Sequence, residues 1–294
     1  MKRRIYIIVL FLAFALCLQA QRDSLAFVNG NWKTDTLDGM VLRQCQFDGS
    51  KQLFASNQQI FVLEIPDTAH YTLAFAHKPR RTRTSEMALK HNAVAAVNGS
   101  FFDMDKHFPI CYLRIDSVNL GENTPGKDTV NRKYYQYGTL CLGGDSVVIL
   151  KTDSSRHWED ALPYSNIMTA GPLLIWHDTL QYMRNDRTFV TQRHNRTAVG
   201  IREDGTVLLF VADGRFKQAE GLTLTELQQL LRWLGCCDAL NLDGGGSTTM
   251  YLNLDDYQGV INYPSDNARF DHAGERGVSN AVMVIKNADI RIEN

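Results

Sequence analysis

The sequence predicts an α+β fold of mixed, largely antiparallel β-sheets with a few flanking helices, arranged as a single main domain. Three observations carry this. Short apolar stretches of strand length recur from Ile60 to Ile285, some alternating with period two and some continuously apolar. Thr223 to Gly235 is the clearest helix. The apolar stretches also end abruptly in turn chemistry, at Asn98-Gly99, Asp213-Gly214 and Asp243-Gly244.

Residues 1–20 read as a leader and not as part of the fold. Lys2, Arg3 and Arg4 precede the apolar run Ile5 to Leu18, and Ala20 offers a small residue for cleavage. The run is too short for a comfortable membrane span. Cys17 after Leu16 fits a lipidation site poorly, and an uncleaved anchor is the alternative. The expectation is a signal peptide and a secreted or periplasmic protein with no stable membrane anchor.

Residues 21–89 form an N-terminal segment expected to add strands to the main domain at 90–294. Arg43 to Phe47 is a short strand. Ile60 to Ile65 and Tyr71 to Ala76 are two strands joined at Pro66-Asp67. Thr84 to His91 suits a short helix capped by Thr84 or Ser85. Ala93 to Val97 is a buried strand, and Asn98-Gly99 after it reads either as a hairpin turn or as a strand end that delivers Asn98 and Asp103 to a site.

Tyr112 to Leu120, Gly138 to Leu142 and Ser146 to Lys151 are strands, with a polar surface loop between Gly121 and Arg132. Gly171-Pro172 interrupts the apolar run from Ile167 to Trp176, which implies a kink or an edge position. Arg193 to Ile201 is polar and then strand-like, and Thr206 to Val211 follows as an apolar strand. The second ends in Asp213-Gly214-Arg215, either a plain turn or a charged strand end like that at Asp243. Thr223-x-x-Glu226 is a capping box. It opens a helix with an apolar stripe of Leu224, Leu227, Leu230, Leu231 and Leu234, closed by Gly235. Capping explains Glu226 better than catalysis. Ala281 to Ile285 is the last strand.

Charge and cysteines narrow the function. The whole chain carries 31 basic and 32 acidic residues. Loss of the leader takes the balance to roughly −4, which argues against nucleic-acid binding. An anionic ligand must then be held by local arginines and main-chain amides. Cys45, Cys111, Cys141, Cys236 and Cys237 are odd in number, and no Cys or His spacing suits zinc.

The stretch Asn241 to Met250 is the strongest site signal. Asn241 and Asp243 share one side of a strand. Gly244, Gly245 and Gly246 follow, then Ser247 and Thr248. Consecutive glycines let a ligand approach the backbone and leave amides able to face an anion. No lysine closes the loop, so it is not a P-loop. The serine lacks the closing glycine of a nucleophile elbow.

Seven segments together resemble the phosphodiester glycosidase family: 97–103, 170–172, 196–201, 212–215, 221–227, 241–250 and 275–282. The resemblance spans roughly residues 90–287. It departs at Gly277, where many relatives are expected to carry proline. It implies a hydrolase that releases a sugar from a sugar-1-phosphodiester and leaves a phosphomonoester. With that chemistry, Asp243 is the first choice for nucleophile or base, with Asp213 and Asp103 as alternatives. Arg196, Arg215 and Arg276 are the expected phosphate clamps. The amides of Gly244 to Gly246 are further donors. Asn98, Ser247 and Thr248 would hold sugar hydroxyls or phosphate. No cofactor is required. One rival reading makes Asp103, Asp213 and Asp243 ligands of a divalent cation in a metal-assisted phosphodiesterase. Another is a binding module for phosphorylated glycans or wall polymers without turnover.

Overall fold

The structure is a computed structural model. It describes residues 21–66, 70–124, 133–143, 146–153, 155, 157–185, 187–254 and 256–287. The expected leader, Asp67 of the first turn and residues 125–132 of the polar loop lie outside the described residues.

The strands in chain order are β1 (Lys33–Leu37), β2 (Met40–Phe47), β3 (Gln58–Ile65), β4 (Tyr71–Arg83), β5 (Ala95–Asn98), β6 (Leu113–Ile115), β7 (Val118–Gly121), β8 (Gly138–Gly143), β9 (Ser146–Lys151), β10 (Asn166–Ala170), β11 (Leu173–Trp176), β12 (Thr179–Leu180), β13 (Arg196–Arg202), β14 (Val207–Ala212), β15 (Cys236–Asn241), β16 (Met250–Leu252) and β17 (Gly277–Lys286). Helices α1 (Thr84–Lys90), α2 (Thr188–Thr191) and α3 (Leu224–Trp233) flank them.

Three sheets form. The first has eight strands in the order β1-β2-β3-β14-β13-β15-β11-β12. The second runs β7-β6-β10-β8-β9 and the third β16-β5-β17-β4. Every pairing among these strands is antiparallel. The predicted α+β class of antiparallel sheets holds.

Side-chain alternation explains why the central strands read as unbroken apolar runs. In β14, Val207, Leu209 and Val211 enter a core shared by all three sheets. Leu208, Phe210 and Ala212 enter a second core beneath α3. A strand covered on both faces has no solvent side on which to place polar residues. The same division places Phe61, Leu63 and Ile65 of β3 in the first core and Ile60 and Val62 in the second.

Helix α3 forms as its capping box requires. Thr223 Oγ1 accepts from the Glu226 N–H at 3.1 Å, and Glu226 Oε2 accepts from the Thr223 N–H at 2.9 Å. Glu226 also pairs with Arg193, so its carboxylate is engaged by the cap and by that guanidinium.

Three expectations need correction. Tyr112 to Leu120 is not one strand: Asp116 and Ser117 take positive φ and fold it into the β6–β7 hairpin. Gly171-Pro172 is a kink, but β10 before it is the middle strand of the second sheet, and β11 after it joins the first. The start of α1 is not capped by Thr84 or Ser85. Glu275 supplies the acceptors, taking the Ser85 N–H at 2.9 Å and the Ser85 hydroxyl at 2.5 Å. Cys111, Cys141, Cys236 and Cys237 are free thiols.

Candidate active site

Antiparallel register gathers the site. Arg196 opens β13 opposite Ala212, the last residue of β14. Ala198 of β13 lies opposite Asn241, the last residue of β15. The segments after Ala212 and Asn241 therefore emerge side by side at one sheet end. In the third sheet Asn98 ends β5 opposite Ala281 of β17. Two bonds join this sheet to the glycine loop. The Asp243 N–H donates to the Gly99 carbonyl at 3.0 Å, and Asn98 Nδ2 donates to the Asp243 carbonyl at 2.7 Å.

Asp243 is half-buried, and its Oδ1 accepts the Gly244 N–H at 2.9 Å. Burial pushes its carboxyl up to about 6. The Ser247 hydroxyl, the Gly244 amide and the charges of Arg276 and Arg215 pull the other way. The buried Ser247 Oγ lies near enough to favour the carboxylate yet completes no well-formed hydrogen bond.

The glycines are there for close approach. A Cβ on Gly245, which has φ +62, would lie 2.6 Å from Arg215 Nη2. A Cβ on Gly246 would lie 2.5 Å from Arg276 Cζ. Two guanidiniums are thus seated directly against the loop that follows Asp243. Arg276 is steered by Asp266, whose Oδ1 accepts from Nε at 2.8 Å. Arg215 has no ion-pair partner among the described residues. It is exposed and holds φ +68, a conformation unfavourable for a residue with a side chain.

Other residues singled out from the sequence play different parts. Arg196 is 2 % exposed. Its guanidinium donates to the carbonyls of Leu222, Phe189 and Gln192, and burial lowers it to about 9. Its donors anchor the loops around Leu222, Phe189 and Gln192. Asn98 is 1 % exposed. Besides its bond to Asp243, its Oδ1 accepts from Thr197 Oγ1 and the Thr249 N–H, so its side chain is spent on positioning the loop. Thr248 is likewise fully buried, against Thr197.

The two alternative carboxylates are both engaged by protein donors. Asp213 is fully buried, accepting from Asn262 Nδ2 at 2.8 Å and the Tyr263 N–H at 3.0 Å. Burial raises it to about 7. Asp103 closes a turn by accepting the N–H groups of Asp105 and Lys106, which hold it below the usual carboxylate range. Among the described residues no three His, Cys, Asp or Glu side chains gather as a metal site. Asp103, Asp213 and Asp243 therefore do not converge as the metal reading requires. Two of the three expected amide donors are also engaged, Gly244 N–H with Asp243 and Gly245 N–H with the Asn195 carbonyl.

Sequence reasoning missed Asn195, Asp266 and His194. Asn195 fixes the loop through its carbonyl, and its buried Nδ2 has no partner. Burial, with the charges of Arg196 and Arg215, holds the half-buried His194 imidazole below its ordinary value. Only the polar run before β13 hinted at these two. Asp266 lies in an aperiodic loop that gave no signal.

A raised carboxylate beside two seated guanidiniums, at the end of an antiparallel sheet, makes a site chemically suited to holding an anion next to a carboxylate. Comparison with known proteins agrees. The family described as phosphodiester glycosidase matches residues 91–285. Human N-acetylglucosamine-1-phosphodiester alpha-N-acetylglucosaminidase is 40% identical over 204 residues, which is 65% of this chain and 37% of the human protein. The mouse protein of the same name is 43% identical over 81 residues, covering 28% of this chain and 15% of its own length. The match thus spans little more than a third of the human relative. The catalytic domain of the zebrafish protein of that name, in a structure described as auto-inhibited by its pro-peptide, shares the fold. Its TM-score is 0.63 at 18% identity, covering 87% of this chain and 88% of that one. The chain belongs to the phosphodiester glycosidase family.

Proposed function

We propose that this protein hydrolyses a sugar-1-phosphodiester, releasing the sugar and leaving a phosphomonoester. The observation that carries the reading is the seating of Arg215 and Arg276 against the glycine loop beside the Asp243 carboxylate. The phosphate would lie between the guanidiniums, which neutralise the second negative charge that appears as the ester becomes a monoester. The bond from C1 of the sugar to the phosphate oxygen breaks, and its electron pair leaves with the phosphate. Asp243 meets the positive character at C1, either by bonding to it or by taking a proton from the attacking water. A phosphate monoester is a good leaving group, so no strong general acid is demanded.

N-acetylglucosamine is the first sugar to test, because the human and mouse relatives are named for it. The purified chain should release N-acetylglucosamine from N-acetylglucosamine-1-phospho-α-methylmannoside, with chelator present as well as absent. No release from this or related sugar phosphodiesters would leave the binding module standing. Export is proposed with this activity, on the strength of the leader expected at residues 1–20. No helix among the described residues is long and apolar enough to cross a membrane. Sequencing the N-terminus of the natively produced protein tests the leader.

A further inference from the structure

Strand β4 carries a bulge near its end. In its antiparallel pairing with β17, His77 lies opposite Asn280 and Thr82 opposite Val278, so Lys78 to Arg81 stand against Ser279 alone. β4 is also the edge strand of the third sheet. Both ends of the bulge are held. His77 Nδ1 donates to the Ser279 carbonyl at 3.0 Å, and Thr82 Oγ1 donates to the Arg80 carbonyl at 3.0 Å. The bulge displays Lys78, Arg80 and Arg81, and Arg83 ends the strand. Lys90, at the end of α1, meets Lys78, and this second ammonium holds Lys78 below the ordinary lysine value. Arg80, Arg81, Arg83 and Lys90 are exposed. Between His77 and His91 the sole acid is Glu86, 3.9 Å from Arg83. Lys78, Arg80, Arg81 and Lys90 have no carboxylate partner among the described residues. Scattered charge is enough to keep an edge strand from pairing with another chain. Two ammoniums pressed together add nothing to that protection and repel until an anion lies between them.

The bulge adjoins the candidate site through the chain itself. Gly277 pairs with Arg83 and directly follows Arg276. A Cβ on Gly277 would lie 3.1 Å from Arg81 Cβ. Arg276 in turn has its guanidinium against Gly246 of the glycine loop. Cations thus follow one another from the glycine loop through Arg276 to Arg83 and back along β4 to Lys78, on the order of 15 Å of strand. We infer that this surface is an anion track, and that the protein acts on a linear polymer with phosphates in series. One phosphodiester lies at Arg276, and its neighbours lie along Arg83, Arg81, Arg80 and the Lys78–Lys90 pair. The inference rests on the phosphodiester reading above. A small diester carries one negative charge and leaves the outer cations unused. A polyanion meets them in turn, and each phosphate held releases counterions. An anionic lipid surface fits less well, because such a surface also takes up an apolar face. Helix α1 keeps Met87 and Ala88 in the core and exposes Leu89 alone of its large apolar residues.

The test compares the purified chain with the triple variant Lys78→Gln/Arg80→Gln/Arg81→Gln. The exposed pair Arg80→Gln/Arg81→Gln is read in its place if circular dichroism shows the triple variant unfolded. Two substrates of one sugar are used, the methyl diester of N-acetylglucosamine 1-phosphate and linear poly(N-acetylglucosamine 1-phosphate). Titration calorimetry with long-chain inorganic polyphosphate reads binding without turnover. The wild type should bind polyphosphate less tightly as salt rises, and the variant should bind it about tenfold more weakly than the wild type at one salt concentration. On the polymer the variant should lose about tenfold in kcat/KM, the loss lying in KM, while both proteins turn over the methyl ester alike. Equal losses on the two substrates, no loss on the polymer, or polyphosphate binding indifferent to the substitutions would overturn the track. Binding to phosphatidylglycerol vesicles without binding to polyphosphate would overturn it in favour of a membrane contact. No turnover of either substrate, beside polyphosphate binding that depends on the three cations, would overturn the phosphodiester reading and uphold the surface as a polyanion site.

Discussion

Asn98 Nδ2 donates to the main-chain carbonyl of Asp243 at 2.7 Å, tying the end of one sheet to the glycine loop of another. The side chain has no freedom left for a ligand, since its oxygen serves Thr197 and Thr249. Asn98→Ala would strand the Thr249 N–H and the Asp243 carbonyl in a buried place. We expect a loss of about 2–4 kcal/mol in stability, together with a fall in kcat, read by denaturant unfolding and by turnover. A variant of unchanged stability would show that the loop does not depend on this tie.

The pH profile should report Asp243. Its carboxyl, ordinarily near 3.8, stands at about 6 because burial disfavours the charged form. If the carboxylate is the working form, kcat/KM should fall about tenfold per pH unit below that value. Asp243→Asn should lower kcat by about 10³-fold or more while leaving circular dichroism unchanged. A profile flat from pH 7 to 4 would remove Asp243 from the acid limb.

The same shift makes a stability prediction of opposite sense. A carboxyl whose folded value is raised carries no penalty below its unfolded value near 4. It carries the full penalty once pH exceeds about 6. Stability contributed at this position therefore falls as pH rises through that window. Asp243→Asn, which keeps an oxygen for the Gly244 N–H, should melt a few degrees above the wild type at pH 8. The difference should vanish towards pH 4, as measured by calorimetry at both values.

Neighbouring glycines should fail differently. A Cβ on Gly244 would sit 2.6 Å from the Asn195 carbonyl oxygen, a main-chain atom that cannot step aside. A Cβ on Gly246 meets side-chain atoms only, the Arg276 guanidinium and the Asp266 carboxylate paired with it. Gly244→Ala should destabilise the fold by about 1–3 kcal/mol. Gly246→Ala should leave the melting temperature nearly unchanged and displace Arg276, lowering kcat/KM. Thermal melts beside turnover separate the two.

The readable parts of the chain were those governed by local chemistry. Period-two and continuous apolar runs located most strands, and Thr223 with Glu226 located α3. Asp243 and its glycines stood out because their chemistry is contiguous. What escaped was long-range. Nothing local in Arg196 distinguishes a guanidinium bonded to three carbonyls from one awaiting phosphate, and Arg276 carries no mark that Asp266 will steer it. Asp213 and Asp243 both end strands in Asp-Gly. Only the folded chain separates the fully buried carboxylate that secures Asn262 and Tyr263 from the half-buried one beside two arginines. Glu275 capping α1 from 190 residues away is the same kind of fact.

The most direct test is to run the reaction of a sugar 1-phosphodiester in H₂¹⁸O, with Asp243→Asn as control, and to weigh both products. Attack at the sugar carbon predicts one ¹⁸O on the released sugar, none on the phosphomonoester, and no products from the variant. Label on the phosphomonoester would mean cleavage of the phosphorus–oxygen bond, and would contradict the glycosidase account of Asp243.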